Sequence, residues 1–241
     1  MSRSSALLMT VILVGLASAL AACGESTSTT TSVSTVASTT EATTAAVAGP
    51  FSVDDLRDLV LLEAEGNGLV EGLLYRPTYS GTSQLTDVGD WTLVPPERLQ
   101  AAGFAGCYAN IFFTNEFHDD FGNSGRSLVT AALLFETPEG AAQALNVFAD
   151  SRDEFWQEWQ PLPSVPGANG IAQTGRCGPD KDTDIHPTIG FGMQVANVYL
   201  LIGSQGGHES DQPLPEDLLR STAEQLLARA QDRLAQIQAG G

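Results

Sequence analysis

The amino-acid sequence predicts an α+β domain in which helices pack on one face of an antiparallel sheet. Apolar runs of strand length alternate with longer segments whose apolar residues recur at helical spacing. The order strand, strand, helix occurs over residues 107–160 and again over residues 171–237. That recurrence predicts a duplicated unit arranged in two layers, one of strands and one of helices.

The segment before the first unit predicts short elements. Ser52 and Asp55 have the spacing of a capping box, which predicts a helix start. That short helix is expected to end at the flexible residues 66–68, and a strand is expected over Leu69–Tyr75. A second short helix is predicted from Pro95 to Gly103, because proline favours the first helical turn.

The first strand–strand–helix unit follows. Apolar runs predict strands over Cys107–Thr114 and Leu128–Phe135. Thr137 is a predicted N-cap, with Pro138 in the first helical position. The helix is expected to continue to Pro161.

The second unit begins with a predicted strand over Ile171–Cys177. A hairpin is predicted from Ile189–Val195 and Val198–Ile202, with the turn at Ala196-Asn197. Pro215 opens the last helix. Its apolar stripe consists of Leu219, Ala223, Leu226, Leu227, Ala230, Leu234 and Ile237.

The N-terminal stretch has the pattern of an export signal. Arg3 precedes an apolar run over Ala6–Leu20, which is shorter than the about 20 residues that a membrane span needs. The tetrapeptide Leu20-Ala21-Ala22-Cys23 resembles the lipobox of bacterial lipoproteins. The resemblance implies that residues 1–22 are a signal peptide and that Cys23 carries a diacylglycerol.

Residues 23–50 predict a disordered tether. They are rich in Ser and Thr and cannot bury enough apolar surface to offset the entropy lost on ordering. Residues 51–241 then form one folded domain. Together with the lipid on Cys23, the tether places that domain on the extracytoplasmic side of the cell membrane.

The charge of the chain excludes some partners. The formal net charge of the 241 residues is −18, from 11 basic and 29 acidic residues. Nucleic-acid binding needs a basic face, which this composition does not predict. The expected contacts are the membrane, through the lipid anchor, and an unknown protein or small-molecule ligand.

Two cysteines remain besides Cys23. Cys107 and Cys177 are predicted to form a disulfide, since an isolated pair in an oxidising compartment is usually oxidised. A reactive or metal-binding pair is the alternative. The chain has no C-x-x-C sequence, which argues against a thioredoxin-type site.

Sequence patterns of catalysis are missing. His208 begins a partial zinc-protease sequence whose second histidine is replaced by Gln212. The acidic run Asp180–Asp184 lacks the glycine and glutamate that a calcium loop requires. No nucleophile elbow and no phosphate-binding loop occurs. The sequence therefore predicts no enzyme, no metal site and no cofactor.

An aromatic cluster gives the one candidate binding site. Phe155, Trp156 and Trp159 stand near helical spacing and are expected to face the core. Alternatively, Trp156 and Trp159 line an apolar groove for a ligand.

The body of the chain also resembles a family. The segments Leu133–Leu145, Met193–Val198 and Ala223–Gln231 look like those of uncharacterised actinobacterial lipoproteins, some of which are described as sensor-like. The resemblance covers roughly residues 100–235. It implies a fold and brings no catalytic residues.

The sequence thus favours a non-catalytic binding or sensing domain held at the cell envelope. A structural or accessory subunit of an envelope complex is the alternative. A hydrolase assembled from distant residues is the third reading, because catalytic triads are recognised by geometry and not by sequence order.

Overall fold

The computed structural model describes residues 49–69, 73–76, 94–114, 126–177, 186–206 and 212–240. The predictions for the signal peptide and for most of the tether lie outside the described residues. The described helices are a 3-10 helix over Val53–Leu59, α1 (Glu63–Leu69), α2 (Pro96–Ala101), α3 (Pro138–Phe155) and α4 (Glu216–Gly240). The strands are β1 (Leu73–Arg76), β2 (Phe104–Thr114), β3 (Arg126–Phe135), β4 (Trp156–Pro161), β5 (Asn169–Cys177), β6 (His186–Val195) and β7 (Val198–Gly206).

The strands form one seven-stranded sheet in the order β1-β2-β3-β7-β6-β5-β4. Every neighbouring pair is antiparallel. The predicted α+β class with an antiparallel sheet is therefore confirmed. The strands at the two edges are β1 and β4.

The helices lie on both faces of this sheet, so the predicted one-faced arrangement is corrected. Successive side chains of a strand point to opposite faces. Along β7, Val198 and Leu200 belong to the core that includes α4, whereas Tyr199 between them belongs to the core that includes α3. Because β2, β3 and β7 carry apolar side chains on both faces, a single helical layer would leave one apolar face exposed to water.

Each face has its own core. The 3-10 helix and α4 cover one face, with Phe51, Leu56 and Leu226 among the buried side chains. The helices α2 and α3 cover the other face, with Leu99 and Phe148 among the buried side chains. The predicted stripe of α4 is confirmed, since Leu219, Ala223, Leu226, Leu227 and Ala230 are all buried.

Local capping signals were largely confirmed. The Thr137 hydroxyl accepts a hydrogen bond from the Gly140 N–H at 3.1 Å, with Pro138 opening α3. The Asp55 carboxylate accepts hydrogen bonds from the Ser52 N–H at 2.8 Å and from the Ser52 hydroxyl at 2.7 Å. These contacts begin the helices where the sequence predicts them.

The segment predicted as one short helix ending at residues 66–68 forms two helices. The 3-10 helix ends at Leu59, and α1 runs through Gly66 to Leu69. A side chain at Gly66 would overlap the ring of Phe112. Gly66 therefore allows α1 to lie close to the sheet, and it does not end a helix.

The turn between β6 and β7 holds the beginning of the domain in place. Asn197 is fully buried, and its side-chain oxygen accepts a hydrogen bond from the Phe51 N–H at 3.0 Å. Its amide nitrogen donates to the carbonyl oxygens of Phe51 and Phe135, each at 3.1 Å. One side chain thus ties Phe51, near the start of the described residues, to the sheet.

The sheet contradicts the predicted Cys107–Cys177 disulfide. Cys107 lies on β2 and Cys177 at the end of β5, with β3, β7 and β6 between them. The row across the sheet from Cys107 passes through its cross-strand partners Leu133, Tyr199, Gln194 and Asn169.

Four strand spacings separate β2 from β5, about 19 Å, and Cys177 is a further eight residues, about 26 Å, along β5. A disulfide requires Cα atoms within about 7 Å. The two cysteines are therefore too far apart to pair within this chain.

Among the described helices, none has the length and apolar content needed to cross a membrane.

Candidate ligand-binding site

Trp156 and Trp159 lie at the edge of the sheet and not on a helix. The helix α3 ends at Phe155, and the Trp156 N–H still donates to the Arg152 carbonyl while its backbone is already extended. Residues 156–161 then pair with β5. The predicted helix to Pro161 is therefore wrong beyond Phe155, because pairing with β5 replaces the helical hydrogen bonds.

A β-bulge places the two tryptophans on one face. In a regular strand, residues three apart point to opposite faces. Here Gln157 pairs with Arg176 and Gln160 with Thr174, so β4 has one residue more than β5 between these pairs. The extra residue reverses the alternation, and Trp159 joins Trp156 on the α3 face.

Glu158 provides the backbone conformation that the bulge requires. Its φ is +50°, in the left-handed region that non-glycine residues rarely adopt. Gly175 lies opposite, and a side chain there would approach the Trp159 Cα within 2.8 Å. A residue with positive φ and a glycine opposite it together hold Trp159 in this position.

Arg152 fixes the ring of Trp159 from the helix side. The guanidinium carbon of Arg152 lies 3.6 Å from the centre of the Trp159 ring. A cation over an indole face is attracted by the ring quadrupole, by about 0.5–2 kcal/mol. Both tryptophan residues are partly exposed.

Gln173 is the polar side chain of this face. It pairs with Pro161 on β4 and Gly190 on β6, and it lies two residues before Gly175 on the same side of β5. Its side chain is 7% exposed, and its oxygen Oε1 has no hydrogen-bond partner among the described residues. A buried acceptor without a partner costs about 1–3 kcal/mol.

Trp156 also has a packing role. A side chain at Gly190 would lie 3.9 Å from the outer edge of the Trp156 ring, so the indole extends over the glycine. This packing agrees with the predicted core role for Trp156, and the groove role of Trp156 and Trp159 stays a prediction. Trp156 covers the sheet, while Trp159 and Gln173 carry the unusual geometry. We call Arg152, Trp156, Trp159 and Gln173 the tryptophan edge.

A concavity lies between the 3-10 helix and α4. This open groove of about 480 Å³ is lined by Asp58, Leu59, Gln225, Ala228, Arg229, Asp232, Arg233 and Gln236. Arg229 forms an ion pair with Glu65, and Arg233 forms one with Asp55, both at 2.6 Å. Because the groove's two arginines already bind carboxylates of the same chain, they fasten the N-terminal helices to α4.

These ion pairs make stability depend on pH. Burial by itself raises the pKa of Asp55, but hydrogen bonds from Ser52 and the contact with Arg233 outweigh it, so the pKa lies below its ordinary value of 3.8. Burial likewise raises the pKa of Glu65, but Arg229 and the Leu62 N–H lower it below 4.5. A carboxylate with a lowered pKa stabilises the fold above its ordinary pKa and loses this contribution as pH falls through the folded-state value.

We therefore expect Asp55→Asn to lower the free energy of unfolding by about 1 kcal/mol at pH 7, as for other lost helix caps. The difference in unfolding free energy between wild type and variant should shrink as pH falls below 4. At low pH the wild-type Asp55 becomes protonated and is then neutral, as Asn is at every pH. Urea unfolding between pH 3 and 7 measures this. Asp58→Asn, an exposed change on the same helix, is the control. A difference that stays constant with pH would contradict the expectation.

The other candidate sites from the sequence lie outside the described residues. His208, which begins the partial zinc-protease sequence, lies outside the described residues. The acidic run Asp180–Asp184 lies outside them too. Within the described part of the chain, no three His, Cys, Asp or Glu side chains are grouped as metal ligands. Cys23 also lies outside it.

Sequence reasoning missed Arg152, Glu158 and Gln173. Gly175 gave a weak signal, because a glycine inside a strand often marks a bulge. Nothing in the sequence shows that Glu158 has positive φ or that Gln173 lacks a partner, since both depend on the pairing of β4 with β5.

Comparisons with known proteins leave the family open. No protein-family model matches the chain, and no curated protein sequence matches it. Among solved structures, the extracellular domain of PknH from Mycobacterium tuberculosis is similar with a TM-score of 0.46 and 13% sequence identity. That match covers 78% of this chain and 98% of the other.

Proposed function

We propose that the chain is a lipid-anchored, extracytoplasmic binding domain without catalytic activity, and that the tryptophan edge is its ligand site. The lipobox-like Leu20–Cys23 supports the anchor and the location. The Ser/Thr-rich residues that follow act as a tether holding the domain away from the membrane.

One observation carries the binding site: the bulge at Glu158 places Trp159 on the same face of the sheet as Trp156 and the buried Gln173. Strain at a non-glycine residue and an unpartnered buried oxygen both cost stability. The strained placement of Trp159 supports a ligand that packs on its indole.

Mass spectrometry of the full chain, extracted from membranes of its natural host, tests this proposal. Under denaturing conditions we expect Cys23 to carry an acyl-glycerol mass and the leader to be absent. Under native conditions we expect an additional non-covalent mass on the wild-type chain, which is lost in Trp159→Ala because its packing surface is removed.

Gln160→Ala is the matched control, since Gln160 lies on the same strand, is exposed, and points away from the tryptophan edge. An unmodified Cys23 would refute the anchor. A native mass that is the same for the wild type and Trp159→Ala would refute the site.

A further inference from the structure

The groove between the 3-10 helix and α4 has walls that are fixed by contacts within the chain. Arg229 of α4 donates hydrogen bonds to the Val60 carbonyl oxygen at 2.9 Å and to the Glu65 carboxylate at 2.6 Å. Arg233, one turn later, donates to Asp55 Oδ1 at 2.6 Å. The 3-10 helix and α4 therefore run antiparallel. Because these contacts are made within one chain, the groove is formed before any partner binds.

The charge that the groove presents to a partner is negative. Asp58 lies on the wall formed by the 3-10 helix and Asp232 on the wall formed by α4, and both residues are exposed. Neither carboxylate forms an ion pair with another described residue. The two arginines of the groove are offset by the carboxylates that they bind. One unpaired carboxylate on each wall therefore favours a cationic partner.

An exposed apolar side chain lies at one end of the groove. Among the described residues, Val53 has the most exposed large hydrophobic side chain, at 39%. Residues three apart eclipse each other in a 3-10 helix, so Val53 lies on the same line as Leu59, which lines the groove. Because the two helices run antiparallel, Val53 lies toward the C-terminal end of α4. The groove thus combines unpaired carboxylates with apolar surface.

The dimensions of the groove match a short helix. On α4 the exposed side chains that line it lie on one face: Gln225, Ala228, Asp232 and Gln236. They extend over about 16 Å, which is the length of about three turns of a partner helix. Ala228 is small, so a second helix can approach α4 closely at the middle of this row.

We propose that this groove binds a basic amphipathic helix of a partner protein, whose Lys or Arg side chains pair with Asp58 and Asp232 while an apolar side chain packs on Val53. Nucleic acids and anionic lipid headgroups carry the wrong charge for this surface. The groove lies on the face of the sheet opposite to α3, so it is separate from the tryptophan edge. The inference therefore goes beyond the proposed function and does not depend on it.

Titration calorimetry of the full chain with synthetic peptides tests this inference. The probe is a peptide of about 18 Leu and Lys residues with the leucines on one helical face. A scrambled peptide of the same composition, without such a face, is the control peptide. The chain is kept in an uncharged detergent, and a titration of each peptide into detergent alone is subtracted.

The wild-type chain is expected to bind the amphipathic peptide more tightly than the scrambled one. Asp58→Asn combined with Asp232→Asn should weaken binding of the amphipathic peptide about fivefold, the effect of losing two exposed ion pairs. Val53→Ser should weaken it about threefold, because apolar contact area is removed.

Glu139→Gln combined with Asp150→Asn is the matched control. It makes the same change in net charge at two exposed positions of α3, on the opposite face of the sheet. Binding of the amphipathic peptide by this control should stay within about twofold of the wild type, since exposed charges that far from the groove are screened by salt.

Equal weakening by the two double variants would mean that net charge alone attracts the peptide, and it would overturn the inference. Equal affinity for the amphipathic and scrambled peptides, or no binding by the wild type, would overturn it as well. Sedimentation velocity on the same samples tests a different occupant. If the wild-type chain alone forms a dimer that the Asp58→Asn, Asp232→Asn variant does not form, the groove binds a second copy and the inference is wrong.

Discussion

Replacing Asn197 with alanine is expected to lower the free energy of unfolding by about 3 kcal/mol. Asn197 is fully buried and makes three hydrogen bonds, to the Phe51 N–H and to the carbonyl oxygens of Phe51 and Phe135. Alanine would leave these backbone groups without that partner, and each buried unsatisfied group costs about 1–3 kcal/mol. Urea unfolding followed by circular dichroism measures the loss.

Asn169→Ala provides the matched control. Asn169 is exposed and its amide donates to the Gln194 side chain, so water can replace the lost contact. We expect a change within about 0.5 kcal/mol for this variant. A loss below 1 kcal/mol for Asn197→Ala would show that the Phe51 segment is not held by this side chain.

Replacing Gly192 with alanine is expected to destabilise the fold by about 2–3 kcal/mol. A side chain at Gly192 would overlap the hydroxyl and ring of Tyr199, which is fully buried. Tyr199 cannot move aside easily, since its ring stacks on Phe148 with centroids 4.7 Å apart and an angle of 7°. Overpacking of a close-packed core has a cost of this size.

The Tyr199 hydroxyl makes a rescue experiment available. It has no hydrogen-bond partner among the described residues, and burial raises the pKa of Tyr199 far above its usual range. Tyr199→Phe should therefore be neutral or slightly stabilising by itself. In the Gly192→Ala background it should recover at least about 1 kcal/mol, which a double-mutant cycle measures as coupling.

Gly68→Ala is the control for glycine replacement. Gly68 lies in α1 with nothing near the position of an added side chain. Alanine there should stabilise the fold by about 0.5–1 kcal/mol, because glycine is a poor helix former. Additive effects of Gly192→Ala and Tyr199→Phe would contradict the proposed overlap.

The lipid anchor remains a sequence prediction, because Cys23 and most of the tether lie outside the described residues. The proposed binding site rests on different observations. Trp156 and Trp159 were singled out from helical spacing, although they lie on a strand. Their shared face results from the bulge at Glu158, so the sequence indicated the residues for a reason that the structure does not support.

Sequence alone determined the features that depend on neighbouring residues. The N-cap at Thr137, the turn at Ala196-Asn197 and the apolar stripe of α4 occur as predicted. Each of these is set by backbone chemistry or side-chain periodicity within a few residues, which short-range sequence patterns report.

Only the tertiary structure decided how these elements combine. The strands β2, β3 and β7 are apolar on both faces, so helices pack on both sides of the sheet. The sequence had predicted helices on one face only. The order of strands placed Cys107 and Cys177 too far apart to pair. The positions of Gln173 and Trp159 relative to each other depend on one extra residue in β4. Strand order and register are set by contacts between distant parts of the chain, and local sequence does not encode them.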